Sequence, residues 1–408
     1  MKKKNMSCWR SGWIVFCSIL LIACNNTDAQ SGTSEMQADD SYQMVDHDAS
    51  NETRALLANL YRIKNNHMLF GHQDTLAYGV KWQGEEGRSD IKDVTGSFPA
   101  LYGWELGGLG IGQEANLDKV NFANMQRWIK EVYLRGGVNT ISWHMYDPVT
   151  GHNSWTKDAS VQHLVPGGKA HDKFKQYLDT FVAFNQQLKV TDKQGNQVSV
   201  PIIFRPWHEH TGDWFWWGKG HTAEKDYIAL WRFTVDYLKS QGVHNLIYAY
   251  SPDRGRIALD NYEADYLYGY PGDDYVDVLG IDTYTDLGRD ESITVAQQKD
   301  NFRRTLEYTV ELANKKHKLP AVSEGGWDGI KADNYWTDRI LDVVTHNDTT
   351  RQIAYLMVWR NANKQRENKD HFYAPYPGHP SADNFKQFYA DPYTLFEDSL
   401  PDMYRLHR

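Results

Sequence analysis

Short apolar runs alternate with longer amphipathic segments from about residue 52 to the C-terminus. The runs are rich in β-branched and aromatic residues, as buried strands are. They cover His67–Gly71, Phe98–Trp104, Val138–Trp143, Val200–Arg205, Asn245–Tyr250, Val276–Ile281, Ala321–Glu324 and Ile353–Trp359. Helical spacing of apolar residues is found in Asn116–Arg135, Lys173–Leu188, Ala223–Gln241, Thr294–Lys316 and Asn334–Thr345. Because eight parallel strands alternating with helices can close on themselves, the pattern predicts an α/β fold: a single (β/α)8 TIM barrel with extended loops at its C-terminal face.

The competing fold is a doubly wound open sheet. Such a sheet would carry a glycine-rich phosphate loop after its first strand. Gly71-His-Gln-Asp74 is not such a loop, and the glycines of Gly107–Gly112 lack both the GxGxxG spacing and a following helix start. The barrel is therefore the preferred prediction, with one catalytic domain over residues 51–408.

The first 23 residues have the pattern of a bacterial signal peptide. Three lysines and Arg10 precede an apolar stretch, Gly12 to Ala23, that is too short to span a bilayer. Leu21-Ile22-Ala23-Cys24 resembles a lipobox, in which Cys24 is lipidated after cleavage. An ordinary secretory signal that contains a cysteine is the alternative. Residues 24–50 are polar and are interpreted as a flexible tether. We therefore expect an outer-membrane lipoprotein, anchored only by its lipid, with the periplasmic face slightly preferred over the cell surface.

Charge and cysteine content narrow the range of partners. All three cysteines lie within the first 24 residues, so the mature chain has no disulfide, thiolate metal site or cysteine nucleophile. Loss of residues 1–23 would change the formal charge from −9 to −13, because four basic residues and no acid are removed. A chain this acidic, without a basic cluster, is not suited to nucleic acid or to anionic polysaccharides. A neutral glycan fits, and we expect a monomer.

The candidate chemistry follows the fourth predicted strand. Arg205 and Glu209 are followed by four consecutive aromatic residues, Trp214 to Trp217. A carboxyl group walled by indoles has a raised pKa and can donate a proton near neutral pH. Glu324 ends the seventh strand, on the opposite side of a barrel, and Tyr284 after the sixth strand can donate a hydrogen bond to it. Two such carboxyls can act on one glycosidic bond, Glu209 as acid/base and Glu324 as nucleophile.

The segment Arg205-Pro-Trp-His-Glu-His-Thr-Gly-Asp-Trp-Phe-Trp-Trp-Gly218 resembles the acid/base motif of family 26 glycoside hydrolases. Other matching segments are Gly71-His-Gln-Asp74, Trp143-His144, Gly280-Ile-Asp-Thr-Tyr284, Ser323-Glu-Gly325 and Val358-Trp-Arg360. The resemblance runs from about residue 51 to the C-terminus. It implies a retaining endo-β-1,4-mannanase that acts on mannan, galactomannan or glucomannan, with Glu209 as acid/base and Glu324 as nucleophile.

The resemblance also assigns substrate-binding residues. It implies that His208 binds the −1 sugar, Trp359 forms the −1 platform, Tyr284 hydrogen-bonds the nucleophile and Trp214 flanks the acid/base. His144 and Arg360 would contact the −1 and −2 sugars.

Structural roles are the alternative for several of these residues. Glu324 could form an ion pair, the two histidines could hold strand ends, and part of the Trp214–Trp217 run must pack against the barrel rim. Arg205 is expected to orient a carboxylate. His208-Glu-His210 lacks the HExxH spacing of a zinc site, so no metal and no cofactor are predicted.

Two other functions remain open. The same machinery could act on xylan or mixed-linkage glucan, or release mannobiose from chain ends. A lipid-tethered glycan-binding protein without catalysis is the more distant alternative.

Overall fold

The computed structural model describes residues 43–192 and 195–406. Within these ranges, eight parallel strands form a barrel: β1 (Met68–Gln73), β2 (Leu101–Glu105), β3 (Val138–Ser142), β4 (Ile202–Arg205), β5 (Leu246–Tyr250), β6 (Val278–Thr283), β7 (Leu319–Gly325) and β8 (Tyr355–Val358). Each strand pairs with the next along the chain, and β1 pairs with β8 from Leu69 opposite Tyr355 to His72 opposite Val358. This last pairing closes the sheet, so the predicted (β/α)8 barrel is confirmed.

The strand limits differ from the prediction where proline is involved. The second strand begins at Leu101 rather than Phe98, because Pro99 has no amide hydrogen to offer a neighbouring strand. Pro320, in contrast, lies inside β7. Its carbonyl accepts a hydrogen bond from the Ala354 amide at 2.9 Å, so the ladder continues on that side.

Helices cover the outside of the barrel. The longer ones are Asn51–Ile63, Phe122–Arg135, His171–Gln186, Glu224–Ser240 and Val295–Lys316. The predicted helix from Asn116 starts only at Phe122, because the Asn121 side chain caps the amides of Ala123 and Asn124. The segment predicted from Asn334 forms a wide helical turn, Trp336–Leu341, that continues into Asp342–Val344.

Smaller elements lie in the connections. Short helices span Asp90–Thr95, Tyr262–Tyr266, Lys364–Glu367 and Ala382–Ala390. Two small hairpins pair Tyr78–Gly79 with Trp82–Gln83 and Lys189–Thr191 with Gln197–Ser199, and Thr394–Leu395 pairs in parallel with the first two residues of β1. These pieces are too short for periodicity to reveal them, and the helix Asn51–Ile63 was not predicted.

The packed chain begins before residue 51. Met44, Val45 and Asp46 are buried, and the Val45 amide donates to Asp277 at 2.8 Å. The end of the expected tether is therefore part of the folded unit. The predicted signal peptide and the lipidation site Cys24 lie outside the described residues. Within the described ranges, no helix combines the length and the apolar character needed to cross a membrane.

Alternation along the strands decides which side chains enter the barrel. On β4, Phe204 points outward and stacks on Phe181 of a covering helix, with ring centroids 4.7 Å apart. Its neighbours Ile203 and Arg205 therefore point inward. Ile203 belongs to the apolar cluster that fills the lower barrel, whereas Arg205 lies at the C-terminal end of the strand. The polar site at the C-terminal end of the barrel therefore lies next to the apolar core that fills the lower barrel.

Phe70 of β1 offers a test of the outer core. It is fully buried, and its ring lies 5.1 to 5.8 Å from those of Phe385, Phe388, Phe396 and Trp336. Phe70→Ala should lower the free energy of unfolding by about 3–5 kcal/mol in urea titration, because it empties this cluster. Leu134→Ala, at a side chain that is 63% exposed, should change it by less than about 0.5 kcal/mol. Equal losses in the two variants would contradict the packing.

Candidate active site

Glu209 lies directly beyond β4 on a tightly turned backbone. Trp207 and Glu209 both have a φ of 53°, in the left-handed region that residues other than glycine rarely occupy. The Glu209 amide donates to the carbonyl of Ser251, after β5, at 2.7 Å. Such conformations persist only where the surroundings enforce them, and they concentrate at functional sites. The turn holds Glu209 over the mouth of the barrel.

The Glu209 side chain is half-buried and accepts a hydrogen bond from Trp214 Nε1 at 2.9 Å. Gly212 makes room for that indole, because a Cβ there would come within 2.5 Å of three of its ring carbons. Burial raises the pKa of Glu209 well above its usual range, and the negative charges of Asp253 and Glu324 raise it further. A raised pKa favours the protonated form of this carboxyl, which is the form that a general acid needs.

Glu324 has different surroundings. It lies near the end of β7, 5% exposed, and Tyr284 donates its hydroxyl to Oε1 at 2.5 Å. Arg205 donates to the other carboxylate oxygen, Oε2. One phenol and one guanidinium thus donate hydrogen bonds to the two oxygens of this carboxyl and fix its orientation.

Arg205 connects two buried carboxylates. Its second terminal nitrogen donates to Asp282 Oδ2 of β6 at 2.5 Å. Burial alone would lower the pKa of Arg205, but Asp282 and Glu324 raise it above its usual value. Asp282 also accepts hydrogen bonds from Ser251 and Ser323 at 2.6 and 2.7 Å. Arg205 therefore orients a carboxylate, as the sequence predicted.

His144 and His208 form one network with Glu105. His144 Nδ1 lies 2.7 Å from Glu105 Oε2, and its Nε2 lies 3.2 Å from His208 Nε2. Burial acts to lower the pKa of His144, but Glu105 outweighs it and raises the pKa overall. Burial, together with the charges of Arg205 and His144, holds the pKa of His208 well below its usual range. His208 is 1% exposed, so its main contacts in this structure are with the protein.

Arg360 is held by acids from two loops. Its guanidinium contacts Asp118 at 2.8 Å and both carboxylate oxygens of Glu367 at 2.9 and 3.0 Å. It is 6% exposed and also lies 3.4 Å from the Tyr78 hydroxyl. The structure therefore fixes Arg360 firmly, next in sequence to Trp359, and its contact with a sugar remains a prediction.

Aromatic side chains line the cleft above these groups. Trp359 is half-buried, and the exposed Trp155 stacks on the His144 ring at 4.9 Å and 13°. Of the Trp214–Trp217 run, only Trp214 is partly open; the other three are at most 2% exposed. Trp216 and Trp217 donate their indole N–H groups to the carbonyls of Met145 and His208. The run thus supplies one side chain to the cleft and three to its wall.

Three acids of the site, Glu105, Asp253 and Asp282, were not assigned a role from the sequence. All three follow or end a barrel strand, so the rule that placed Glu209 and Glu324 at this rim applied to them equally. Asp253 is buried after β5, and burial raises its pKa to about 6. The position of these acids at strand ends predicts that they lie at the site. Their hydrogen-bond partners depend on the register between the barrel strands, which the sequence does not reveal.

A possible group of metal ligands lies elsewhere. Asp46, Asp48 and His244 have ligand atoms within 4.8 Å of one another. His244 lies two residues before the start of β5, so the group lies at the opposite end of the barrel from Glu209. Asp46 already bonds His244 Nδ1 at 2.9 Å and the Asp48 amide at 3.0 Å.

Comparison with known proteins agrees with this geometry. The model of Glycosyl hydrolase family 26 matches residues 45–371. The chain belongs to glycosyl hydrolase family 26. The GH26 β-mannanase BoMan26A from Bacteroides ovatus superposes with a TM-score of 0.79 at 40% identity, covering 88% of this chain and 98% of that one. A modular endo-β-1,4-mannanase from Cellulomonas fimi superposes with a TM-score of 0.77 at 32% identity, covering 89% and 79%.

A curated relative is longer than this glycoside hydrolase. The mannan endo-1,4-β-mannosidase of Bifidobacterium adolescentis is 32% identical over 364 residues, which is 85% of this chain. The chain spans only 35% of that relative's length and about half, 52%, of a relative from Bacillus subtilis. The predicted family is confirmed.

Arg205 provides a test of the buried charge network. Arg205→Met should lower the free energy of unfolding by about 3–5 kcal/mol at pH 7.5, because it leaves Asp282 and Glu324 buried without a cation. The pKa of Asp282, already raised to about 7 by burial, would rise further. A carboxyl with a raised folded-state pKa is destabilising when ionised, so the loss should shrink as the pH falls towards 5.

The matched control is Arg256→Met, which breaks an exposed pair with Asp213 and should cost less than about 1 kcal/mol. Urea titrations of both variants at pH 5 and 7.5 measure the loss of unfolding free energy at each pH. A loss for Arg205→Met that does not depend on pH would contradict the network.

Proposed function

We propose that this chain is a retaining endo-β-1,4-mannanase. The observation that carries the proposal is the contrast between two carboxyls at one rim: burial raises the pKa of Glu209, whereas Glu324 accepts hydrogen bonds from Tyr284 and Arg205. This contrast is what double displacement requires of an acid/base and a nucleophile. The names of the mannanases to which the chain is similar support the choice of mannan.

In the first step, Glu209 protonates the glycosidic oxygen while Glu324 attacks the anomeric carbon. The leaving sugar departs, and a covalent glycosyl–enzyme intermediate forms. In the second step, Glu209, now ionised, takes a proton from water as the water attacks the same carbon and frees Glu324. For this retaining course the carboxyls should be separated by about 5–5.5 Å in the working enzyme.

The remaining residues that were predicted from the sequence bind the sugars or orient the two glutamates in this proposal. Trp359 forms the platform for the −1 sugar, and Tyr284 holds the nucleophile. Trp214 hydrogen-bonds and flanks the acid/base. His208 orients the −1 site, and His144 and Arg360 contact the −1 and −2 sugars.

Alanine variants of the two glutamates test the assignment. Glu209→Ala should lower kcat/KM on linear mannan by about 10²–10⁴-fold, because departure of the leaving sugar loses its acid. Glu324→Ala should lower it by about 10⁴-fold or more, because no covalent intermediate forms. On an aryl β-mannoside with a good leaving group, the Glu209 variant should retain the first step and show a burst of released aryl alcohol.

The matched control is Glu311→Ala, at an exposed glutamate on the helix Val295–Lys316, which should keep the parent rate. Reducing-sugar release from linear mannan, xylan and barley glucan identifies the polysaccharide backbone that the enzyme cleaves. Faster cleavage of xylan or glucan than of mannan would show that mannan is not the preferred substrate. Release of sugar from none of the three would favour the glycan-binding alternative. Near-parent rates in either glutamate variant would overturn the assignment.

We also propose that the enzyme is a monomer, tethered to the bacterial envelope by a lipid on Cys24. The support is the lipobox-like Leu21-Ile22-Ala23-Cys24 and the positively charged start of the chain. Cys24→Ser should abolish incorporation of labelled palmitate and move the enzyme from the membrane to the soluble fraction. Unchanged labelling of the variant would contradict the anchor.

A further inference from the structure

A third carboxyl group points into the mouth of the barrel. Asp253 lies three residues beyond the end of β5 and pairs in parallel with Asp282 of β6. Ala249 pairs with Val278 on the same two strands, so the register between them continues unchanged as far as Asp253. Because side chains alternate along a strand, Asp253 faces the same side as Ala249 and Ser251. Ser251 bonds Asp282 inside the barrel, so the Asp253 carboxyl lies one layer above that bond, towards the cleft.

The backbone of Asp253 is bonded to the turn that carries the acid/base. The carbonyl of Ser251 accepts the Glu209 amide at 2.7 Å. The Asp253 amide donates to the Thr211 hydroxyl at 2.9 Å, and this hydroxyl donates to the Asp253 carbonyl at 3.3 Å. Asp253 is 6% exposed, so its side chain is held inside the site rather than in solvent. The Asp253 carboxyl therefore has a fixed place relative to Glu209.

The charge of Asp253 is not neutralised by an ion pair. Burial raises its pKa to about 6, against the opposing charges of Arg289, Arg256 and Arg254. Arg254 and Arg256 pair with other aspartates at 3.0 and 2.9 Å, and Arg289 lies over a tyrosine ring. Within residues 43–192 and 195–406, none of the three forms an ion pair with Asp253. Above about pH 6 this position therefore carries a negative charge that acts on its neighbours.

Glu209 is the neighbour on which this charge acts. Two carboxyl groups at one buried rim do not both ionise without cost, because each negative charge disfavours the other. Burial raises the pKa of Glu209 most. Among the charges on the surrounding strands, Asp253 raises it more than Glu324 and Asp282 do, and Arg205 lowers it. The strongest charge effect on the acid/base thus comes from a residue to which the proposed reaction assigns no part.

Resting on the proposed function, we propose that Asp253 is a positioning residue for the acid/base of this reaction. Its negative charge favours the proton on Glu209 until the glycosidic oxygen takes it. In the second step, the same charge makes the ionised Glu209 a stronger base towards the attacking water. Asp253 itself neither gains nor loses a proton in either step.

The pH dependence of kcat/KM on linear mannan tests this role, because its alkaline limb reports the acid of the free enzyme. Asp253→Asn removes the charge and keeps the shape of the side chain. The alkaline limb should move to lower pH by about one unit, since Glu209 then releases its proton more readily. Asp253→Ser, equally neutral but smaller, should move the limb by the same amount.

The matched control is Asp260→Asn, at an exposed acid on the same loop, which should leave the alkaline limb in place. An alkaline limb that stays in place in both Asp253 variants would overturn the inference while the proposed function stands. No cleavage of linear mannan by the parent enzyme would overturn both.

A double-mutant cycle shows whether Asp253 acts through Glu209. At a pH on the alkaline limb, Asp253→Asn should lower kcat/KM on linear mannan by about tenfold in the parent enzyme, since one pH unit is about a factor of ten in the protonated fraction. In the Glu209→Ala background the same change should have no effect, because no acid is left to lose its proton. An equal loss in both backgrounds would indicate a direct contact with the sugar or a purely structural role, and it would overturn the inference.

Discussion

The site depends on one buried cation. Arg205 points into the barrel because it alternates with the outward-facing Phe204 on β4, and there it bonds Asp282 and Glu324. Two ionised carboxylates this deep would be very costly without it. With it, both oxygens of the Glu324 carboxyl have a donor, Arg205 on one and Tyr284 on the other. At the same rim, burial raises the pKa of Glu209. The different surroundings of the two glutamates therefore depend on a strand register.

The barrel could be predicted from the sequence because its strands are long apolar runs and its helices have strong periodicity. The limits were less accurate. Pro99 shortened β2, Asn121 delayed a helix, and Met44 to Asp46 packed onto the domain although their composition indicated a tether. In each case a local hydrogen-bond requirement or a tertiary contact decided the boundary. The hydrophobic periodicity of a sequence contains no information on local hydrogen-bond requirements or on tertiary contacts.

For the candidate site, strand order placed the right residues at one rim but did not reveal their partners. The link from Arg205 to Glu324 crosses 119 positions of sequence, and that from Glu105 to His144 crosses 39. The first arises from the closure of the barrel, and the second from the register between β2 and β3.

The protonation of the two glutamates is the central claim, and infrared difference spectroscopy tests it most directly. At pH 6.5, the spectrum of the parent protein minus that of Glu209→Gln should show the C=O stretch of a protonated carboxyl. The difference against Glu324→Gln should show carboxylate bands instead. A carboxylate signature for Glu209 together with a protonated signature for Glu324 would contradict the account.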